Sequence, residues 1–289
     1  MTLPAVTADY ERWRCPHTVW AALADFATAA VHRDGIDSVS HLGVTLDLYL
    51  DRDPLDVRDQ PVLPVFFTGS VPNRDAVSPP FFSGRTLSRQ IGVSAIYLAD
   101  PTVSSFGTLG LAWYDGSERS RTRAAITALL QAISERSAKE LLLVGGSGGG
   151  FAALRYAGSL TVPVSVFTWN PQTNWLRYED ATVRTYLAAA FPSIEVSAEP
   201  VDAQVDRIEA QLAAIGASAS LLTGRPRAAS RVLYLQNATD WYVAAHAMPY
   251  VAHHRLELSV PGRYCAGPEH VVCSTRPSAA GRDHHRACR

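Results

Sequence analysis

Long apolar runs, charge of one sign and closely spaced cysteines are all missing from this chain, and each absence closes a class of function. No stretch approaches the roughly 20 apolar residues that a membrane span needs, so no spanning segment is expected. Asp9, Glu11, Arg12, Arg14 and Asp25 interrupt the first thirty residues; no secretory signal is read there, and a cytoplasmic protein is expected. The 26 basic side chains balance 27 acidic ones, which leaves no net field to attract nucleic acid or anionic lipid. Cys15, Cys265, Cys273 and Cys288 lack CxxC spacing and any zinc-like histidine pattern, so no metal is expected, and without an export signal they read as free thiols.

Internal repeats and low-complexity linkers are missing too, so residues 1–289 are read as a single domain. What the chain has is 47% apolar side chains, enough for a large core, arranged in alternating strand and helix patterns. Val19 to Val31 reads as an amphipathic helix, with Val19, Leu23, Phe26, Ala27 and Ala30 on one face. From Val44 to Asp51, apolar and polar residues alternate as in a half-exposed edge strand. Continuous apolar runs follow at 65–68, 95–99, 141–144, 164–168 and 232–235, the pattern of parallel strands covered on both faces. Pro64 and Pro163 fall where two of these strands would begin. Residues 118–137 predict a helix, because Ile126, Leu129, Leu130 and Ile133 recur at i, i+3, i+4 and i+7. The expected architecture is a doubly wound, mostly parallel α/β sheet. Residues 171–230 are too long for a plain crossover and carry helical patterns, so they are read as a helical cap.

The strongest local signal runs from Leu141 to Phe151: a buried strand, the turn Gly145-Gly146-Ser147-Gly148-Gly149, and the start of a helix. This is a GxSxG pattern in strand–turn–helix context. Such a turn is strained, and side chains at Gly145 and Gly149 would collide with the neighbouring helix and strand. It lifts the Ser147 hydroxyl clear of the backbone, and the amide of Gly148 at the helix start faces developing negative charge as an oxyanion donor. A phosphate loop would need a Lys before Ser or Thr, which is absent, and a dinucleotide turn would need an acid after the next strand, which ends at Trp169-Asn170. A structural glycine turn with an idle serine is the remaining competitor. The nucleophile reading is preferred.

Strand, elbow, helix, later acid and later histidine together resemble the α/β-hydrolase superfamily over roughly Val44 to His270. The segments Phe66-Phe67-Thr68-Gly69-Ser70, Phe81-Phe82-Ser83-Gly84, Asn170-Pro171-Gln172-Thr173 and Gln236-Asn237 before Asp240 are similar to a bacterial group related to the acetyltransferase-like component of the accessory secretion system. The resemblance implies a three-layer α/β-hydrolase sandwich and a triad in the chain order Ser, Asp, His. Carried over by position, the acid is Asp240, beyond the strand at 232–235, with a helix N-cap as its plainer role. The histidine is His270, preferred over His246; His253, His254, His284 and His285 are further candidates. The second oxyanion donor implied is the Ser70 amide, with Gly69 permitting the turn, although Thr68 stands where the superfamily usually has His. Residues 273–289 depart from the pattern, since they lack the apolar period of a closing helix.

Asn170 and Gln172 are read as orienting a polar substrate, or merely ending a strand. Trp113 and Tyr114, with Trp169, Trp175 and Tyr178, are read as pocket walls or core. The leading expectation is hydrolysis of a carboxylic ester through an acyl-enzyme, without cofactor. Acyl transfer to a glycan, or a non-catalytic binding and assembly role, are the alternatives; the partner expected is a small ester or an acylated glycan.

Overall fold

A computed structural model describes residues 7–30, 32–56, 59–223, 230–266 and 270–275. The chain runs β1 (His17–Trp20), α1 (Leu23–Thr28), β2 (Gly35–His41), β3 (Val44–Asp51), β4 (Val62–Phe67), α2 (Arg85–Gln90), β5 (Ala95–Leu98), α3 (Pro101–Ser105), α4 (Thr122–Ser137), β6 (Glu140–Gly146), α5 (Ser147–Ala157) and β7 (Val164–Trp169). It continues with α6 (Asp180–Ala190), α7 (Val205–Ala214), β8 (Ser230–Asn237), α8 (Met248–His253), β9 (Glu257–Val260), β10 (Arg263–Ala266) and β11 (His270–Thr275). One sheet has the order β1-β2-β3-β5-β4-β6-β7-β8-β11-β10-β9. Its centre, β5-β4-β6-β7-β8-β11, is parallel throughout, whereas β2-β3-β5 and β11-β10-β9 are antiparallel.

Alternation along each strand divides the core between two faces. Leu46, Leu48 and Leu50 of β3, Val65 and Phe67 of β4 and Leu141 and Leu143 of β6 pack beneath α1, α4, α5 and α8. The apolar stripe of α4 does what its period requires, for Ile126, Leu129, Leu130 and Ile133 are all 0% exposed. Truncating Leu129 to Ala would cost about 2–5 kcal/mol. Tyr49, Phe66, Tyr97 and Val144 point to the opposite face, which Tyr10, Trp13 and Phe82 cover. There α2 is held by Arg85 donating to Tyr49 Oη at 3.0 Å and by Ser88 paired with Tyr97. This is the three-layer α/β-hydrolase sandwich expected.

Between β7 and β8, α6 and α7 form a separate apolar cluster. Trp175, Val183, Tyr186, Leu187, Ile208 and Leu212 pack there against Leu111, Trp113 and Phe151. A buried carboxylate fastens this layer to the helices below: Asp115 accepts from Arg123 at 2.7 and 2.9 Å and from the Trp175 indole at 2.9 Å.

Three local expectations are corrected. The stretch read as one helix from Val19 is not one; Val19 lies 68% exposed on β1, and among the described residues up to Ser40 the α-helix spans Leu23–Thr28. The strand at 44–51 is not an edge, because β3 pairs with both β2 and β5. Its polar face is buried: Asp47 accepts hydrogen bonds from Ser38 and Tyr10. Pro64 does not begin a strand but sits inside β4, opposite Leu142 and just before pairing with β5 starts at Val65, where no amide donor is needed on that side.

Candidate functional site

β6 ends at Gly146 and α5 begins at Ser147, so the turn between them has no spare residue. Ser147 takes up the change of direction with φ 53°, in the left-handed region that costs a non-glycine residue about 1–2 kcal/mol. A Cβ on Gly145 would overlap the backbone of Gly149, and one on Gly149 would overlap the carbonyl of Phe67 at the end of β4. Both glycines are therefore required by close backbone approach. Among the described residues no side chain caps α5, which leaves the amide dipoles of its first turn, that of Gly148 among them, open to a ligand. The loop after β4 presses on the elbow from the other side, for a Cβ on Gly69 would lie 3.3 Å from the Gly146 carbonyl. Ser70, next along, is exposed.

Among the described residues, two side chains reach the hydroxyl of Ser147. Gln172 donates to it from Nε2 at 3.0 Å, and Tyr242 Oη lies 3.4 Å away. Gln172 also donates to Tyr242 Oη at 2.8 Å. Its orientation is dictated by Trp113, whose indole N–H can only donate and is bonded to the amide oxygen, so the NH2 end must face Ser147. Gln172 is fully buried, and Trp113 and Tyr114 preceding the cluster both have positive φ, 54° and 57°. Burial raises the Tyr242 phenol above its ordinary pKa, against the opposing pull of its hydrogen bonds to Ser147 and Gln172.

The structure brings Ser147, Gly148, Gly69, Gln172 and Trp113 together, with Ser70 beside Gly69, and holds Asp240, His270, Asn170 and Tyr114 in other contacts. Asp240 Oδ1 accepts the amide of Tyr242 at 3.1 Å, closing a local turn ahead of the helical segment that starts at Val243. His270 opens β11 and is hydrogen-bonded through Nε2 to Tyr250 Oη at 2.9 Å. Register runs from His270 through Val232 and Val166 to Leu143, four residues before Ser147 on β6. That sets His270 roughly 13 Å down the strand direction and three strands across. The reason is topological: β9 and β10 make an antiparallel hairpin, so it is β11 that joins β8, and the histidine begins that strand instead of following it. Among the described residues, no histidine is hydrogen-bonded to Ser147 or Asp240.

His246 is nearer, its ring 5.0 Å from that of Tyr242. It is fully buried on a π-helical turn, Val243–Ala247, and its Nδ1 accepts the Thr173 amide at 3.3 Å, which places its proton on Nε2. Burial, with a contribution from Arg177, lowers its pKa to about 3. Asn170 ends β7 by accepting the Asn237 amide at 2.7 Å, the strand-terminating role. Tyr114 is core, its hydroxyl accepting from the Thr68 amide and donating to the Leu98 carbonyl. Sequence reasoning missed Tyr242, which reads locally as the start of a helix. Gly267, Pro268, Glu269, His284, His285 and Cys288 lie outside the described residues. Cys15, Cys265 and Cys273 are free thiols. No metal-ligating cluster and no helix long and apolar enough to cross a membrane occur among the described residues.

No family model matches the chain, and no curated protein matches it. Solved structures do. The capsule O-acetyltransferase of Neisseria meningitidis serogroup A, as a mutant in complex with CoA, superposes with a TM-score of 0.53 at 13% identity, over 82% of this chain and 88% of that one. A Glycosylation Associate Protein complex from Streptococcus agalactiae gives a TM-score of 0.52 at 15% identity, over 82% of this chain but 41% of that chain. At such identities what is shared is the fold alone.

Proposed function

We propose that this protein cleaves a carboxylic ester by forming an acyl-enzyme on Ser147. The observation that carries the reading is the Ser147 backbone at φ 53°, a strained conformation held by glycines whose neighbours leave no room for side chains. In the proposed reaction, Oγ attacks the ester carbonyl, and the Gly148 and Ser70 amides receive the oxyanion. Gln172, donating to Oγ, stabilises the alkoxide character that grows during attack. The Ser147 proton passes to Tyr242 as that phenol hands its own proton onward to the leaving alkoxide. The acyl group stays on Oγ, the alcohol departs, and water completes the cycle by the reverse route. In this reading the proton route runs through Tyr242, since the Nε2 of His270 is held by Tyr250 and the Oδ1 of Asp240 by the amide of Tyr242.

An imidazole usually contributes about 10²–10⁴ in rate at such a site, so turnover is slow and the acyl-enzyme accumulates. The test is rapid quenching with p-nitrophenyl acetate followed by intact-mass measurement. A burst of one acetyl per chain, absent from Ser147→Ala, supports the reading; equal turnover in both proteins rejects it. The fold shared with an O-acetyltransferase motivates a second reading, in which a glycan hydroxyl replaces water as acceptor. Acetylated glycan among the products selects transfer, and free acetate alone selects hydrolysis. Absence of any acyl-enzyme would favour a binding and assembly role.

A further inference from the structure

Beside the loop that follows β4 lies a cavity of about 460 Å³ whose wall includes Trp13, Val71, Val77, Phe81 and Phe82. Two polar groups in that wall are already engaged. Thr68 Oγ1 donates to the Phe81 carbonyl at 3.0 Å. Arg12 donates to the Pro80 carbonyl, its Cζ lies 5.1 Å from the Trp13 ring and 5.2 Å from the Phe81 ring, and the Asp9 carboxylate offsets its charge. The surface left for a ligand is largely hydrocarbon and aromatic ring. It is also held in place, for the Val71 amide donates to the Gly110 carbonyl at 2.8 Å and Phe82 meets Trp13 edge-on at 5.0 Å. Preformed apolar cavities of roughly 300–1,000 Å³ take small organic ligands, and an acetyl group would leave this one mostly empty.

The cavity and the elbow share a wall. Thr68 and Ser70, which both line the cavity, flank Gly69, whose added Cβ would lie 3.3 Å from the Gly146 carbonyl. A Cβ on Gly149 would lie 3.2 Å from the Thr68 carbonyl carbon. With consecutive Cα atoms about 3.8 Å apart, these contacts set the edge of the cavity on the order of 10 Å from Ser147.

We propose that this cavity receives the acyl part of the ester, an uncharged alkyl chain of medium length, so that the preferred substrate carries an acyl group larger than acetyl. The proposal rests on the acyl-enzyme reading of Ser147 and specifies its substrate. The chain passes Ser70, whose amide that reading assigns to the oxyanion, and lies among Val71, Val77, Phe81 and Phe82. There it exchanges water for apolar side chains, and each methylene buried is worth up to about fourfold in rate, the equivalent of about 0.8 kcal/mol.

Burst rates of Ser147 acylation by p-nitrophenyl octanoate and p-nitrophenyl acetate, each divided by the rate of the same ester with hydroxide, test the proposal. Octanoyl transfer to Ser147 is expected to be roughly tenfold or more faster than acetyl transfer. In Val77→Trp, which fills the cavity from a position 38% exposed, that preference should vanish. Ser83→Trp, at another exposed lining position, takes its place if Val77→Trp does not fold. Equal normalised rates in the wild-type protein, or a preference that survives in a folded filling variant, would overturn the proposal. Failure of both esters to acylate Ser147 rejects the acyl-enzyme reading instead, and binding then decides. Calorimetric titration of Ser147→Ala with methyl octanoate and methyl acetate should show the octanoate ester bound one per chain and more tightly, and its binding should be lost when Val77→Trp is added. No binding of methyl octanoate, or binding that the filling variant leaves unchanged, would overturn it.

Discussion

Gln172 presents its amide N–H to the Ser147 hydroxyl at 3.0 Å, and it can do so in only one orientation because Trp113 occupies its carbonyl end. A side chain 25 residues downstream thus supplies a hydrogen bond that the serine oxygen accepts. With Oγ accepting from Gln172, its own hydrogen is free to turn toward Tyr242, whose Oη lies 3.4 Å away.

Replacing Gln172 by Met removes the donor and strands the Trp113 indole N–H in the core. Acylation by p-nitrophenyl acetate should slow roughly tenfold, and the unmet donor should lower stability by about 1–3 kcal/mol. Stopped-flow burst rates and urea melts measure the two effects separately. A variant that loses stability but acylates at the wild-type rate would remove Gln172 from the chemistry.

Tyr242→Phe keeps the ring that packs on Trp241 and His246 and deletes only the hydroxyl. Steady-state turnover should fall roughly a hundredfold if the phenol passes the proton. His270→Ala, by contrast, should leave turnover within twofold of wild type, about the scatter of such assays, while weakening the attachment of β11 through the lost Tyr250 bond. The opposite pattern would return the base to His270.

How much of this was legible without coordinates differs between the sheet and the site. Parallel strands were readable because burial on both faces forces continuous apolar runs, and the elbow because its glycines and serine act within a few residues of one another. β3 was misread because alternation reports polarity, not coverage: Asp47 looks like a solvent-facing residue until Tyr10 and Ser38 are found bonded to it. Ser147, Asp240 and His270 share no hydrogen bond in the structure for a longer-range reason. Which histidine approaches Ser147 depends on the order in which β9, β10 and β11 add to the sheet, and nothing near His270 in sequence encodes that order. Trp113 and Gln172 are 59 residues apart, so their hydrogen bond had no local signature either.

Burial of His246 makes stability depend on acidity. Its folded pKa of about 3 lies below the ordinary 6.5, so between those values the unfolded chain holds a proton that the folded one does not. Stability is full above pH 6.5 and is lost as pH falls toward 3, by several kcal/mol across the window. His254, also lowered to about 3 chiefly by burial, adds in the same direction. In His246→Gln, which can still accept from Thr173, the slope of unfolding free energy against pH should flatten between pH 6 and 4, a range inside that window. An unchanged slope would show that His246 does not titrate on unfolding.

Strain at the elbow predicts a trade between stability and reactivity. Ser147→Gly relieves the positive φ and should raise unfolding free energy by about 1 kcal/mol while abolishing acylation. Thermal and urea melts check the first effect, and burst amplitude checks the second.

Fluorophosphonate labelling followed by peptide mapping tests the nucleophile most directly. The wild-type chain should take up one phosphonyl group, slowly and completely, on the peptide containing Ser147, and Ser147→Ala should take up none. An unlabelled wild-type protein after prolonged exposure, or a label mapped to any other residue, would contradict the assignment.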